Sequence, residues 1–302
     1  MKTIVVFDAN LPTRTIDIPA GKYKGFTFRF SGAQDGATAP TQADFGNIIT
    51  TWKGAPVQRA QFVQQTELVN DKFGVQEATA SAGDTQPFSY SYFIPSVDWL
   101  DESAIFDVPD KEACKIEWTA GANLAGRISA GSIVTVLGIE GEGEMSHILG
   151  LNYTDYNLST GLSEAFRIDP FGCRSLWIEA DTTNINRLSV TRNGQPFVAW
   201  NTAREILNDS NRRNRRETAA SAYAEVDLLQ SRTLLEQLKN QVATVQFDMT
   251  NAAVISCFWA YIIAQPNDLL RSRLKNAQEL ERVKTQVAQA GGSKAIQLGE
   301  AV

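Results

Sequence analysis

The side chains able to do chemistry are few. The chain holds one histidine, His147, three cysteines, Cys114, Cys173 and Cys257, and one tight acidic group, Asp98, Asp101 and Glu102. A nucleophilic triad needs a base beside its hydroxyl or thiol, and that base is most often histidine. His147 stands in a glycine-rich stretch with no orienting partner visible in the sequence, so it reads as a surface linker residue. Zinc sites draw on clusters of cysteine and histidine, whereas the cysteines here are far apart in apolar, strand-like runs. They read as buried thiols of a chain made in a reducing compartment. The carboxylates Asp98, Asp101 and Glu102 have the residue types for glycosidase-like acid–base work, but in an exposed acidic turn such groups are more often simply solvated. Gly141-Glu142-Gly143 lacks the third glycine and the lysine of a nucleotide loop, and its carboxylates would repel phosphate. No catalytic, cofactor-binding or metal-ligating residue is therefore expected.

Two stretches remain that could recognise something. Arg212, Arg213, Arg215 and Arg216 form the most basic spot in a chain whose net charge is −6. They read either as a solvated loop or as an anchor for phosphates, since the guanidinium fork pairs with phosphate and carboxylate. Beyond Pro266, Asn267 or Asp268 can cap a helix whose apolar stripe runs through Leu270, Leu274, Ala277, Leu280, Val283 and Val287. That helix is basic, with Arg271, Arg273, Lys275, Arg282 and Lys284 against three acidic residues. Its stripe must pack on its own domain, dock on a neighbour, or lie on an anionic lipid surface.

The composition frames these stretches. With 302 residues, 43% hydrophobic and 21% charged, the chain has room for two ordinary globular domains. Its acidic balance argues against broad nucleic-acid binding, and no specific nucleic-acid sequence is expected as a partner. The apolar run Ile4 to Phe7 is stopped at Asp8, which is too short for a signal peptide. The longest apolar stretch, Ala252 to Ala264, is too short to cross a bilayer of roughly 30 Å as a helix.

What must position everything is a duplication. Ile48 to Trp52 leads into Lys53-Gly54-Ala55-Pro56 and an amphipathic segment closing on Glu67-Leu68-Val69-Asn70-Asp71. About 140 residues later, Leu188 to Val190 leads into Asn193-Gly194-Gln195-Pro196 and a segment closing on Glu205-Ile206-Leu207-Asn208-Asp209. The sequence predicts strand, glycine–proline turn and helix in each, and so a duplicated domain. Strands are also expected over residues 14–30, over Phe88 to Tyr92, over Cys114 to Thr119, and over Ser132 to Glu140, the last buried on both faces. Ser31 to Asp44 is expected as loop, and Ser96 to Asp110 as a short acidic helical excursion. In the second copy Leu176-Trp177-Ile178 echoes the Phe26 strand, Tyr223 to Leu229 takes the place of the Phe88 strand, and Val242 to Met249 and Ala253 to Ile263 close the unit. Leu234 to Leu238 matches the short excursion, and the C-terminal helix has no counterpart.

Many short strands, turn signals and no helix between successive strands describe an all-β protein of two tandem eight-stranded antiparallel jelly rolls, with short connecting helices and a C-terminal helix. The expected domains are residues 1–145, 146–265 and 266–302. Phe26-Thr27-Phe28-Arg29-Phe30-Ser31-Gly32, the strand Cys114-Lys115-Ile116-Glu117-Trp118, and Leu188 to Trp200 with its Asn193-Gly194 hairpin resemble the double jelly-roll major capsid proteins of tailless icosahedral, membrane-containing bacteriophages, of the corticovirus type. The likeness covers most of residues 14–264 and rests on order and pattern rather than a diagnostic motif.

The resemblance implies a homotrimer whose six jelly rolls form a pseudo-hexagonal capsomer of the virion, assembled in the host cytoplasm. Its implied partners are itself, neighbouring capsomers, minor capsid and vertex proteins, and the headgroups of an internal membrane, with no cofactor. On that reading Arg212, Arg213, Arg215, Arg216, Leu270, Leu274, Ala277 and Val283 become inter-subunit or membrane contacts. The long C-terminal helix departs from the family pattern. The competing readings are a carbohydrate-binding or carbohydrate-active β-sandwich, and a minor vertex or spike capsid protein.

Overall fold

The computed structural model describes residues 1–62, 78–80, 83–97, 102–168, 173–179, 183–192, 194–200, 205, 223–227 and 243–264. Ten strands come first: β1 (Lys2–Asp8), β2 (Thr13–Asp17), β3 (Gly21–Ala33), β4 (Asn47–Trp52), β5 (Ala55–Gln61), β6 (Ala78–Ala80), β7 (Pro87–Pro95), β8 (Ala104–Val108), β9 (Cys114–Thr119) and β10 (Ile133–Glu140). Nine follow: β11 (Met145–Leu158), β12 (Gly161–Leu162), β13 (Phe166–Ile168), β14 (Cys173–Glu179), β15 (Ile185–Arg192), β16 (Gln195–Trp200), β17 (Tyr223–Asp227), β18 (Ala243–Met249) and β19 (Ala253–Ala264).

Their pairing repeats. In the first set one sheet runs β1-β10-β3-β7 and the facing sheet β2-β9-β4-β5, every pair antiparallel. The second set runs β11-β19-β14-β17 and, facing it, β13-β18-β15-β16, again all antiparallel. Each set is an eight-stranded sandwich in which the first and last strands are neighbours, as jelly-roll wiring requires. Each also encloses its own core. Phe26, Phe28 and Phe30 of β3 meet Ile116 and Trp118 of β9 in the first, where the Trp118 indole donates to Phe45 O at 2.8 Å. Leu176 and Ile178 of β14 meet Val190, Val245 and Phe247 in the second. The strand expected over Tyr223 to Leu229 on the analogy between copies is present as β17.

The duplicated turn differs from expectation in one respect: a strand, not a helix, follows it. Lys53 (φ 49) and Gly54 (φ 82) both sit in the left-handed region, the signature of a two-residue hairpin loop whose twist matches its strands. The chain therefore returns beside β4, with Trp52 opposite Ala55 and Thr50 opposite Gln58. Gly194 (φ 76) serves the same loop in the second copy, with Arg192 opposite Gln195. Each hairpin shifts register at one place, between Thr50 and Thr51 and between Val190 and Thr191, opposite Pro56 and Pro196. Proline has no N–H for a ladder, so it fits at a bulge. The remainder of both expected helices, residues 63–71 and all of 201–209 but 205, lies outside the described residues, as do Leu234 to Leu238 and the C-terminal helix.

Three smaller departures matter. The excursion expected to be helical contains strand β8, buried and paired to β3 through Phe106 and Val108, because Ala104-Ile105-Phe106 has the apolar, branched and aromatic composition of a strand. Part of the loop expected over Ser31 to Asp44 is ordered, since β3 continues to Ala33 and Gln42–Phe45 forms a 3-10 turn. β10, expected to be covered on both faces, buries only one. Val134 and Val136 are fully buried, while Ile133 is 38% exposed and Leu137 and Ile139 are half-buried.

Candidate functional site

β11 is where the two sandwiches meet. It pairs along its length with β19, from His147 opposite Ala264 to Leu158 opposite Ala253. Its other edge touches the first sandwich in parallel, with Leu151 against Gln58 of β5, and Met145 and Ser146 against Ala104 and Ile105 of β8. A buried amide fixes this junction. Gln58, 1% exposed, donates through Nε2 to Pro95 O and to Leu149 O, both at 2.8 Å, and accepts from Thr50 Oγ1 at 3.0 Å. One side chain thus ties β4, β5, β7 and β11 together. Leu149 N also donates to Ser96 O at 2.8 Å. A buried polar group costs little only when its hydrogen bonds are made, and those of Gln58 are.

Outside this node lies a cleft of about 280 Å³, lined by Pro56, Val57, Arg59, Leu151, Asn152 and Tyr261. Tyr261 donates its hydroxyl to Val57 O at 3.3 Å, and its ring lies where any Cβ on Gly150 would stand. Burial raises the Tyr261 phenol, and the Arg59 guanidinium works in the opposite direction. The cleft is open, and its lining holds one guanidinium and one phenol.

The sequence-derived candidates fall elsewhere. Arg212, Arg213, Arg215 and Arg216, together with Leu270, Leu274, Ala277 and Val283, lie outside the described residues, as do Asp98 and Asp101. Glu102 is exposed, and its backbone carbonyl accepts from Lys24 Nζ at 2.8 Å. His147 is not the surface linker residue expected. It is fully buried within β11, because the glycine-rich connection ends before Met145 and the apolar pattern of Ile148-Leu149 carries the strand inside. Cys114 and Cys257 are buried free thiols, and burial pushes the Cys114 thiol up to about 12, which leaves no thiolate near neutral pH. Among the described residues no group of three histidine, cysteine, aspartate or glutamate side chains converges as metal ligands would, and no helix is long and apolar enough to cross a membrane. Gln58 escaped the sequence reading because nothing marks a glutamine in a strand as a buried node.

Two sandwiches joined through β11 define the class: this is a double jelly roll, the fold of major capsid proteins of icosahedral viruses. Among solved structures the chain is similar to the major capsid protein P2 from Bacteriophage PM2, with a TM-score of 0.54 at 12% identity over 89% of this chain and 97% of that one. It is similar also to the STIV MCP, with a TM-score of 0.60 at 10% identity over 87% and 96%. PBCV-1 VP54 gives a TM-score of 0.54 at 7% identity over 86% and 92%. At such identities the likeness speaks for fold. No family model matches the sequence, and no curated protein does.

Proposed function

We propose that this chain is the major capsid protein of an icosahedral bacteriophage, a homotrimer whose pseudo-hexagonal capsomers tile the virion over an internal lipid membrane. The observation that carries this reading is the side-by-side pairing of two like-wired jelly rolls in one chain, joined by a parallel edge contact between β5 and β11. A trimer fills a six-fold position only if each chain brings two similar domains. The domains are residues 1–145 and 146–265, with residues 266–302 as an arm. The PM2 protein of the same architecture is itself a major capsid protein, which favours the shell reading over a sugar-binding sandwich. The tile binds its own copies, neighbouring capsomers and minor vertex proteins. Arg212, Arg213, Arg215 and Arg216 and the stripe through Leu270, Leu274, Ala277 and Val283 contact either neighbouring subunits or anionic headgroups, because both are basic in an acidic chain.

Sedimentation and negative-stain images of the purified chain test this. Trimers with a hexagonal outline that assemble into closed shells are expected, and a chain that stays monomeric at every concentration overturns the proposal. Replacing the four arginines with glutamine should lower shell yield and the chain's flotation with anionic vesicles while leaving the fold intact. Truncation after Ala264 should leave a folded trimer that assembles poorly.

A further inference from the structure

The cleft beside the junction holds a positive charge that the chain itself leaves uncompensated. The protein carries a net charge of −6, yet none of the residues lining the cleft is acidic. Arg59 is exposed and, among the described residues, enters no ion pair. It stands opposite Ile49 of β4, and the acidic residue next in that row, Glu117, lies on β9, roughly 10 Å away by strand spacing. Tyr261 adds no charge, because burial raises its phenol and keeps it protonated near neutral pH. The lining therefore consists of one guanidinium, one phenol, the Asn152 amide and the apolar surfaces of Pro56, Val57 and Leu151.

Folding alone places these groups. Arg59 directly follows Gln58, whose amide is bonded to Pro95 O, Leu149 O and Thr50 Oγ1. The Tyr261 ring packs where Gly150 leaves room for it, and its hydroxyl donates to Val57 O. The walls thus come from both sandwiches, which meet here through the pairing of Leu151 with Gln58. A site whose groups already stand in place loses little entropy when it is filled.

We propose that this cleft binds a carboxylate carried on a short apolar stem, as a glutamate side chain or the C-terminal residue of a partner peptide presents it. The planar guanidinium fork matches a carboxylate with two parallel hydrogen bonds. Charge selects the carboxylate over a phosphate ester, which carries about −1.5 to −2 near neutral pH and is usually met by several cations or a helix N-terminus. The cleft offers a single cation. Pro56, Val57, Leu151 and the Tyr261 ring give the stem an apolar wall, and the Asn152 amide suits a peptide group beside it. A volume of about 280 Å³ stands near the lower end of small-ligand sites, which begin at about 300 Å³. The site belongs to one chain and is independent of how chains assemble.

The test is fluorescence anisotropy on the full-length chain with labelled alanine pentapeptides. One carries a central glutamate and an amidated C-terminus, a second has glutamine in place of the glutamate, and a third is the glutamine peptide with a free C-terminal carboxylate. At least one of the two carboxylate peptides should bind, and which one does so identifies side chain or terminus as the source, while the amidated glutamine peptide should not bind. Arg59→Gln should weaken binding by about tenfold, the worth of a hydrogen bond to a charged group. Arg14→Gln removes the same charge from an exposed position on β2, at the far edge of that sheet, and should bind as the unsubstituted chain does. Butyrate should compete with the peptide, butyramide should not, and inorganic phosphate should compete no better than chloride at equal ionic strength. Arg59 is exposed, so Arg59→Gln should melt with the unsubstituted chain, which keeps a binding loss distinct from unfolding. No binding by either carboxylate peptide, equal binding of the amidated glutamine peptide, equal weakening by Arg59→Gln and Arg14→Gln, or displacement by phosphate ahead of butyrate would each overturn the site.

Discussion

Replacing Gln58 with leucine isolates the junction from the rest of the fold. Leucine has nearly the volume of glutamine but no polar atoms, so the change removes three buried hydrogen bonds, to Pro95 O, Leu149 O and Thr50 Oγ1, without opening a large cavity. A buried hydrogen bond contributes about 1 kcal/mol net, and a buried group left without its partner costs about 1–3 kcal/mol. Part of that loss is recovered by the apolar side chain, which needs no partner, so Gln58→Leu should destabilise the chain by about 2–4 kcal/mol. All the groups involved are neutral, and the loss should be the same at mildly acidic and mildly alkaline pH. The measurement is the denaturant midpoint followed by two probes, with Arg59→Leu on the neighbouring exposed position as the control for strand propensity. Thr50→Val removes one bond of the same node, and the double variant should lose less than the sum of the singles. A Gln58→Leu loss within about 0.5 kcal/mol of the control would place the amide among ordinary surface positions and refute the node.

Three further outcomes follow from other sites. Asp44, 4% exposed, holds Arg127 at 2.6 Å and accepts from Thr41 N and Oγ1 at 2.6 and 2.8 Å, so Asp44→Ala, which leaves these donors unpaired, should cost about 2–4 kcal/mol in thermal or chemical unfolding. Gly150→Ala drives a methyl group into the Tyr261 ring and should cost about 1–3 kcal/mol, with the loss sharply reduced in a Tyr261→Ala background. Burial pushes the Tyr156 phenol from 10.0 up to about 12, so its stabilising effect is whole below pH 10 and is lost as pH rises toward 12. Ultraviolet titration should show several tyrosines ionising late in the folded chain and normally in denaturant, and Tyr156→Phe should diminish that late component.

The duplication was legible because its marker is chemical. Only glycine takes the second loop position cheaply, and proline is confined to the bulge beside it, so the Gly-x-Pro spacing survives in both copies. The helix expected after that marker arose from the same bulge. Val57 and Gln58 are consecutive and both buried, and Ala60 follows two residues on. That extra residue breaks the strict alternation of a strand and leaves Val57 and Ala60 three apart, which mimics a helical period. His147 misled for a tertiary reason, since glycines and glutamates precede it and only the pairing of β11 with β19 takes it inside. β8 was obscured by its acidic approach, although its own five residues have strand composition.

The junction also explains why the two copies differ where they could have been alike. Thr50 faces Gln58 across the first hairpin, and Val190 faces Val198 at the matching place in the second. Within the chain, the carbonyls of Pro95 and Leu149 are delivered to Gln58 by folding itself, so a buried amide there is satisfied from the moment the fold exists. In the second copy Val190 is fully buried in that copy's own core, in one cluster with Leu188, Val245 and Phe247. An apolar residue there needs no hydrogen-bond partner, whereas an amide would be left buried and unpaired unless carbonyls were delivered to it. The polar node thus suits the place where folding brings β7 and β11 against the hairpin, and the apolar core suits its counterpart.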